Sequence, residues 1–183
     1  MLLKSTDIKL GTPAPDFSLP SVEGKVYSLK DFRYAKGLVV MFICNHCPYV
    51  QAIEDRYIAL ARAYREKDVA FVGICSNDPT DYPDDRPEKL KERWEKKRYG
   101  FPYLIDESQE VAKAYEAVCT PDIYLFDNEQ TLFYHGRLDD NWQNEWGVKR
   151  HDLALALDLL LSGKAPPLEQ HPSMGCSIKW KKK

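Results

Sequence analysis

Apolar residues fall into runs and periods that predict alternating strands and helices. Residues 37–44 and 69–76 form near-continuous apolar runs rich in valine and isoleucine, which is typical of strands buried on both faces. Between these runs, residues 53–64 place apolar side chains at helical spacing, with charged residues in the gaps. A strand, a helix and a strand in this order form a βαβ unit, so we predict two neighbouring parallel strands.

The rest of the chain predicts a mixed sheet built around this unit. Glycine and proline positions, together with changes in the apolar period, mark the ends of the elements. In chain order they indicate a hairpin within residues 8–30, a helix at 87–100, a strand at 101–106, a short helix near 111–115, a hairpin at 120–138, a helix at 148–164 and a tail over 165–183. We therefore predict one α/β domain over residues 1–183, with a central mixed β-sheet flanked by helices and an N-terminal β-hairpin extension.

Composition and charge narrow the class of protein. Hydrophobic residues make up 44% of the chain and charged residues 30%, and the formal net charge is −2 at pH 7. These values are typical of a globular domain and give no reason to expect a nucleic acid or a membrane as partner. The first residues, MLLKSTDIKL, lack the features of a secretory leader, and no apolar run approaches the roughly 20 residues of a membrane helix. We therefore expect a cytoplasmic protein.

Two of the five cysteines form a Cys-x-x-Cys pair, with Asn45 and His46 between Cys44 and Cys47. The pair comes at the carboxyl end of a predicted strand, where open α/β sheets place their active sites. Pro48 belongs in the first turn of a helix, so we predict that the helix begins at or near Cys44 and that Asn45 and His46 are exposed. Because a helix N-terminus stabilises a thiolate, we predict Cys44 as the nucleophile and Cys47 as the resolving thiol.

Two other interpretations of the pair stay open. The cysteines could fill the core, although the neighbouring Asn, His and Pro are typical of a junction that faces water. Cys44, His46 and Cys47 could instead bind zinc or copper, but a closed zinc site needs a fourth ligand and the sequence holds no second Cys-x-x-Cys. The isolated candidates for that ligand are Cys75, Cys119, His135 and Cys176. We therefore predict no resident metal and no other cofactor, and we predict that Cys75 lies in the core.

Four segments carry a resemblance to a known family, namely APDFSLPSVEGKVYSLKDF, VVMFICNHCPYV, VCTPDIYLFD and PSMGCSIKWK. On these segments, which span nearly the whole chain, the protein resembles thioredoxin-fold proteins, and more closely the peroxiredoxin-like branch related to TlpA and AhpC. The resemblance implies a thioredoxin-like fold and a cis peptide bond between Thr120 and Pro121. It also implies that these two residues bind substrate, with the backbone of Thr120 paired to an extended substrate chain.

The same resemblance implies a thiol-disulfide oxidoreductase that acts in cell redox homeostasis through a redox-active disulfide in the Cys-x-x-Cys motif. Its partners would be protein or small-molecule thiols and disulfides, and a reductant such as thioredoxin or glutathione. Asn45 and His46 would tune the motif, and a histidine there predicts a disulfide more oxidising than that of thioredoxin. Cys119 and Cys176 are candidate extra thiols. Cys119 could equally fill the core, and Cys176 could fold back to the active edge as an extra resolving thiol or could anchor the tail. A thiol peroxidase and a metal-carrying thioredoxin-fold protein stay open as alternatives.

The sequence lacks the base that related proteins use at the second cysteine. Thioredoxins and TlpA-like reductases place an acid at positions that are Leu38 and Val50 in this chain. Glu54 is a possible substitute, but its place in the helix predicts an exposed side chain. The group that deprotonates Cys47 is therefore open.

The peroxiredoxin signature is also incomplete. Its proline and its threonine or serine are missing upstream of both cysteines. Arg137 is a candidate for the arginine of a peroxide site, but we predict that it pairs with Asp139 or Asp140 at the surface. Efficient peroxidase activity is therefore not expected.

Overall fold

The computed structural model describes residues 1–182. The strands are β1 (Leu2–Lys4), β2 (Ser18–Pro20), β3 (Val26–Ser28), β4 (Gly37–Phe42), β5 (Val69–Cys75), β6 (Tyr103–Ile105), β7 (Cys119–Thr120), β8 (Asp122–Asp127), β9 (Leu132–Gly136) and β10 (Met174–Ser177). The α-helices are α1 (Pro48–Arg65), α2 (Pro87–Lys97), α3 (Glu110–Ala114) and α4 (Asp152–Leu161). Among residues 1–182, no helix has the length and apolarity needed to cross a bilayer.

The central sheet has five strands in the order β6-β5-β4-β8-β9. Strand β4 runs parallel to β5, and β5 runs parallel to β6, whereas β8 is antiparallel to both β4 and β9. Strands β2 and β3 form a separate hairpin near the N-terminus. The predicted mixed sheet, with a parallel βαβ half and an antiparallel hairpin, is therefore confirmed.

Strand β4 is buried on both faces because the sheet separates two apolar layers. Val39, Met41 and Ile43 pack into the layer that contains α1 and α4. Leu38 and Val40 pack into the opposite layer, which the N-terminal hairpin and α3 cover. Alternate side chains of a strand point to opposite faces, so a continuous apolar run is what two covered faces require. This burial holds the carboxyl end of β4 in a fixed position.

Helix α1 begins at Pro48, with Cys47 as its N-cap. The prediction that Pro48 lies in the first turn is confirmed, but the predicted start at or near Cys44 is wrong. The backbone amides of Asn45 and His46 donate to one carboxylate oxygen of Asp85, at 2.8 and 3.2 Å. These hydrogen bonds hold the segment before Cys47 outside the helix.

The C-terminal tail contains a strand that the apolar pattern does not predict. Strand β10 lies between β1 and β7 in a second, three-stranded sheet, and it is antiparallel to both neighbours. Strand β7 ends at Thr120, immediately before the cis peptide bond to Pro121. The tail is therefore placed beside the Cys-x-x-Cys pair.

Candidate active site

The Cys44 and Cys47 side chains meet at the edge of the sheet, between the end of β4 and the start of α1. Only 2% of Cys44 and none of Cys47 is exposed. The Cys44 Sγ atom lies 3.3 Å from the Thr120 hydroxyl oxygen, and the Cys47 thiol donates to the Thr120 carbonyl oxygen at 3.1 Å. The structure thus brings together the two cysteines, Thr120 and the cis-proline Pro121.

Hydrogen bonds from neighbouring groups stabilise the thiolate form of Cys47. The Cys44 thiol donates to the Cys47 sulfur, and this bond, against the opposing effect of burial, lowers the pKa of Cys47 to about 5. The Cys176 thiol and the backbone amides of Val50 and Cys176 act in the same direction and also lower this pKa. In its thiol form Cys47 bonds to the Thr120 carbonyl instead, but several converging donors outweigh one acceptor, so the thiolate is favoured.

Cys44 has the opposite environment. Burial, together with the hydrogen bond that it donates to Cys47, raises the pKa of Cys44 well above its usual range. The sequence predicted a stabilised thiolate on Cys44, on the assumption that Cys44 starts the helix. Because Cys47 is the N-cap of α1, the amides at the helix N-terminus face Cys47 instead.

Asp85 is the residue of the site that the sequence analysis missed. It lies in the loop between β5 and α2, is 2% exposed, and accepts four hydrogen bonds. Besides the amides of Asn45 and His46, the donors are the His46 Nδ1 atom at 2.5 Å and the Asn77 side chain at 2.9 Å. Burial raises the pKa of Asp85, but the hydrogen bonds from His46 and Asn77 outweigh it and hold that pKa below its usual range.

Asn45 and His46 are less exposed than predicted. Asn45 is buried, and its side-chain amide donates to the backbone carbonyls of Asp84 and Lys89, at 2.9 Å in both cases. The His46 ring is half-buried and lies 4.4 Å, centroid to centroid, from the ring of Tyr82. Both residues therefore fix the loop between β4 and α1 to the loop that carries Asp85.

A metal ion fits this cluster poorly. The Cys44 sulfur, a His46 ring nitrogen and an Asp85 oxygen lie within 4.8 Å of one another, so they are candidate ligands. The Asp85 carboxylate has about four acceptor positions, and protein donors already use them. An ion would have to replace these hydrogen bonds, so we assign the carboxylate to holding His46 and the loop.

The other three cysteines have different surroundings. Cys75 is buried in β5, and the prediction that it lies in the core is confirmed. Cys119 is fully buried on β7, where burial raises its pKa. Cys176 is half-buried on β10, directly opposite Thr120 in the strand pairing. The position beside Thr120, which the resemblance implied for an extended substrate, is therefore filled by the chain's own tail.

Glu54 is not the missing base. The prediction of an exposed side chain is wrong, since Glu54 is 1% exposed. Arg93 donates two hydrogen bonds to its carboxylate, at 2.6 and 2.7 Å, and the Tyr99 hydroxyl donates a third at 2.7 Å. These bonds join α1 to α2 and to the segment after it, so the Glu54 carboxylate has a structural role.

The expected surface pairing of Arg137 is also wrong. Its guanidinium donates to Asp152 at 2.7 Å, whereas Asp139 is bound by Arg56. Asp152 lies in the first turn of α4, so this ion pair connects the end of the β9 segment to that helix. The Arg137 guanidinium therefore binds the Asp152 carboxylate rather than the cysteine thiols.

A cleft of about 400 Å³ lies beside the site. Its lining includes Tyr49, Pro121, Trp142 and Met174, and the Tyr49 and Trp142 ring centroids are 4.3 Å apart. Because it touches the cis-proline, the first turn of α1 and strand β10, the cleft is a candidate route for a small substrate.

Comparisons with known proteins identify similar sequences and similar folds. The sequence model of the AhpC/TSA family matches residues 10–135. The crystal structure of an uncharacterized conserved protein from Geobacillus kaustophilus is 46% identical, covers 100% of this chain and 98% of that chain, and has a TM-score of 0.96. The thiol-disulfide oxidoreductase ResA of Bacillus thuringiensis subsp. konkukian is 27% identical over 126 residues, which cover 69% of this chain and 68% of ResA.

A more distant match shows the fold. It is the thioredoxin domain of a thiol-disulfide oxidoreductase from Bacteroides vulgatus, which is 22% identical and covers 70% of this chain and 89% of that chain, with a TM-score of 0.59. The predicted thioredoxin-like fold is therefore confirmed.

Proposed function

Since the chain belongs to the AhpC/TSA family, we propose that it is a thiol-disulfide oxidoreductase whose reacting groups are the thiols of Cys44 and Cys47. The observation that carries the proposal is the asymmetry of the pair. Hydrogen bonds lower the pKa of Cys47 to about 5, while burial raises the pKa of Cys44. One thiolate ready to attack, beside one thiol that holds its proton, is the arrangement that disulfide exchange needs.

In the first step, the Cys47 thiolate attacks one sulfur of a substrate disulfide. A bond forms between Cys47 and that sulfur, and the other substrate sulfur leaves as a thiolate. The Cys44 thiol lies beside the reacting Cys47 sulfur, and the Thr120 hydroxyl lies 3.3 Å from the Cys44 sulfur and orients that thiol. The two cysteines thus take roles opposite to those predicted from the sequence.

In the second step, Cys44 gives up its proton and attacks the Cys47 sulfur. The Cys44–Cys47 disulfide forms, and the bound substrate sulfur leaves as the second thiol product. The Asp85–His46 pair is the proton acceptor, since its oxygen and nitrogen atoms lie within 4.8 Å of the Cys44 sulfur. This separation allows proton transfer through one water molecule. The base missing at Leu38 and Val50 would have acted on Cys47, which does not need one, because its pKa is lowered to about 5.

The substrates would be small or protein disulfides, and the reductant would be thioredoxin or glutathione. The cleft of about 400 Å³ at Pro121 favours small disulfides as the first class to test. A thiol peroxidase is less well supported, because Asp152 binds the arginine that such a site would use.

The reduction potential of the pair tests this function. Stabilising the Cys47 thiolate stabilises the reduced protein, so we expect a reversible two-electron couple above about −270 mV, the value for thioredoxin. The measurement equilibrates Cys176→Ser protein with glutathione buffers and quantifies free thiols by mass after alkylation. The Cys44→Ser/Cys176→Ser protein, which lacks the pair, is the control. A potential below about −270 mV, or no reversible couple, would contradict the proposal.

A further inference from the structure

Strand β10 is built into the active site. Cys176 is paired with Thr120, and Ser177 is paired with Cys119, so the tail runs along the strand that leads to the cis-proline. Gly175 approaches Thr120 so closely that a side chain at position 175 would overlap the Thr120 carbonyl group. Only glycine allows this approach, and the approach sets the distance between the tail and the cysteines.

The tail is anchored on both sides of Cys176. Strand β1 pairs with β10 opposite β7, with Leu2 beside Cys176. The Ser177 amide donates to the Met1 carbonyl and the Ile178 amide donates to the Val118 carbonyl, at 2.9 Å in both cases. Ile178 is also buried in the core. Cys176 is therefore part of a formed sheet and is held at the site.

The Cys176 thiol faces Cys47. The Cys47 thiol donates to the carbonyl of Thr120, the strand partner of Cys176, at 3.1 Å, and hydrogen bonding from the Cys176 thiol and backbone amide lowers the pKa of Cys47. Burial and this hydrogen bond raise the pKa of Cys176 to about 11, and the residue is half-buried where Cys44 is almost wholly enclosed. Cys47 thus has a thiol neighbour on each side, Cys44 from its own loop and Cys176 from the tail.

We propose that Cys176 is a second resolving thiol, which forms a disulfide with Cys47. The proposal rests on the proposed function, since Cys47 must first react with a substrate disulfide. After that reaction, Cys176 releases its proton to solvent and its thiolate attacks the Cys47 sulfur. The Cys47–Cys176 bond forms as the substrate sulfur leaves as a thiolate. That thiolate then takes up a proton from solvent. In sum, two protein thiols are oxidised and one substrate disulfide is reduced to two thiols.

Removing Cys44 isolates this reaction. Reduced Cys44→Ser protein is mixed with oxidised glutathione, and the products are followed by intact mass and by mapping of disulfide-linked peptides. We expect a glutathione adduct on Cys47 that disappears as a Cys47–Cys176 disulfide forms. In Cys44→Ser/Cys176→Ser protein the adduct should persist, with a lifetime at least about 10-fold longer. The matched control is Cys44→Ser/Cys119→Ser, which removes another thiol close to Thr120 and should behave like Cys44→Ser.

The outcomes separate this proposal from the function on which it rests. An adduct that forms in Cys44→Ser and persists as long as in the double variant overturns the role of Cys176 and leaves the proposed function intact. Resolution that is lost in Cys44→Ser/Cys119→Ser assigns the second thiol to Cys119 and also overturns it. If no variant forms an adduct, Cys47 is not a nucleophile, and the proposed function and the role of Cys176 both fail.

Discussion

Replacing Cys47 with serine is expected to reduce turnover of a small disulfide to the uncatalysed rate, a loss of at least about 10³-fold. Both resolving routes end in a bond to the Cys47 sulfur, so no other thiol can replace it. The measurement is reduction of oxidised glutathione by the protein, coupled to a reductant that regenerates the thiols. The Cys47 thiol donates to the Thr120 carbonyl oxygen, and a serine hydroxyl can make the same hydrogen bond, so serine should leave the fold intact.

Two further variants serve as comparisons for the Cys47→Ser result. The Cys75→Ala protein removes a thiol from the core strand β5 and should keep near wild-type turnover. The Cys44→Ser protein should still form the first adduct with glutathione, because Cys47 carries the attacking thiolate. Loss of the first adduct in Cys44→Ser, with its retention in Cys47→Ser, would show that the roles of the two cysteines are the reverse of those proposed.

Replacing Asp85 with asparagine is expected to slow the second step of the reaction by about 10²-fold, the usual size of a general-base contribution. The neutral amide cannot stabilise the imidazolium that forms when His46 takes up the Cys44 proton, and its NH₂ group would face the donors from His46 and Asn77. The experiment uses Cys176→Ser protein, so that only Cys44 can resolve the mixed disulfide. Decay of the glutathione adduct is followed by mass spectrometry across a range of pH.

The pH profile separates a proton-transfer role from a structural one. In the Asp85→Asn protein the rate should rise steeply with pH, because hydroxide replaces the missing base, and the difference from the parent should narrow at alkaline pH. The adjacent Asp84 is exposed, and Asp84→Asn should leave the rate unchanged. An Asp85→Asn rate that is reduced by the same factor at every pH would assign Asp85 a structural role alone.

The βαβ unit and the β8–β9 hairpin are predictable because each of their sequence patterns lies within one short segment of the chain. The apolar runs of β4 and β5 and the helical period of α1 each lie within one segment, and together they define the βαβ unit. The hairpin of β8 and β9 likewise follows from apolar runs around a polar turn. Since the carboxyl edge of such a sheet holds its active site, the position of the Cys-x-x-Cys pair was predictable as well.

The partners of the pair were not predictable, because they come from distant parts of the chain. Asp85 lies in a polar loop after β5, where acidic residues are common and no local pattern marks one of them. Parallel strands do bring the loops after β4 and β5 to one edge, and this rule could have directed attention to that loop. Its hydrogen bonds to Asn45 and His46 hold both residues outside the helix. Helix α1 therefore begins at Pro48 with Cys47 as its N-cap, and Cys47 carries the stabilised thiolate in place of Cys44.

Strand β10 and Glu54 were missed for the same reason. The sequence Met-Gly-Cys-Ser has no strand pattern, and it forms a strand because β1 and β7 lie on either side of it. Glu54 lies among polar residues of α1 that face water, and only its partners Arg93 and Tyr99, beyond the next strand, explain its burial. Tertiary contacts decide both cases, and no local propensity reports them.

The most direct test of the account is the titration of Cys47 itself. Thiolate ultraviolet absorbance of the reduced protein is measured as a function of pH, with Cys47→Ser and Cys44→Ser proteins alongside. Because the folded protein lowers this pKa, the thiolate should be present above about pH 5 and lost as the pH falls through that value. We expect one step near pH 5 that is absent from Cys47→Ser. A step that persists in Cys47→Ser and vanishes in Cys44→Ser, or no thiolate at neutral pH, would contradict it.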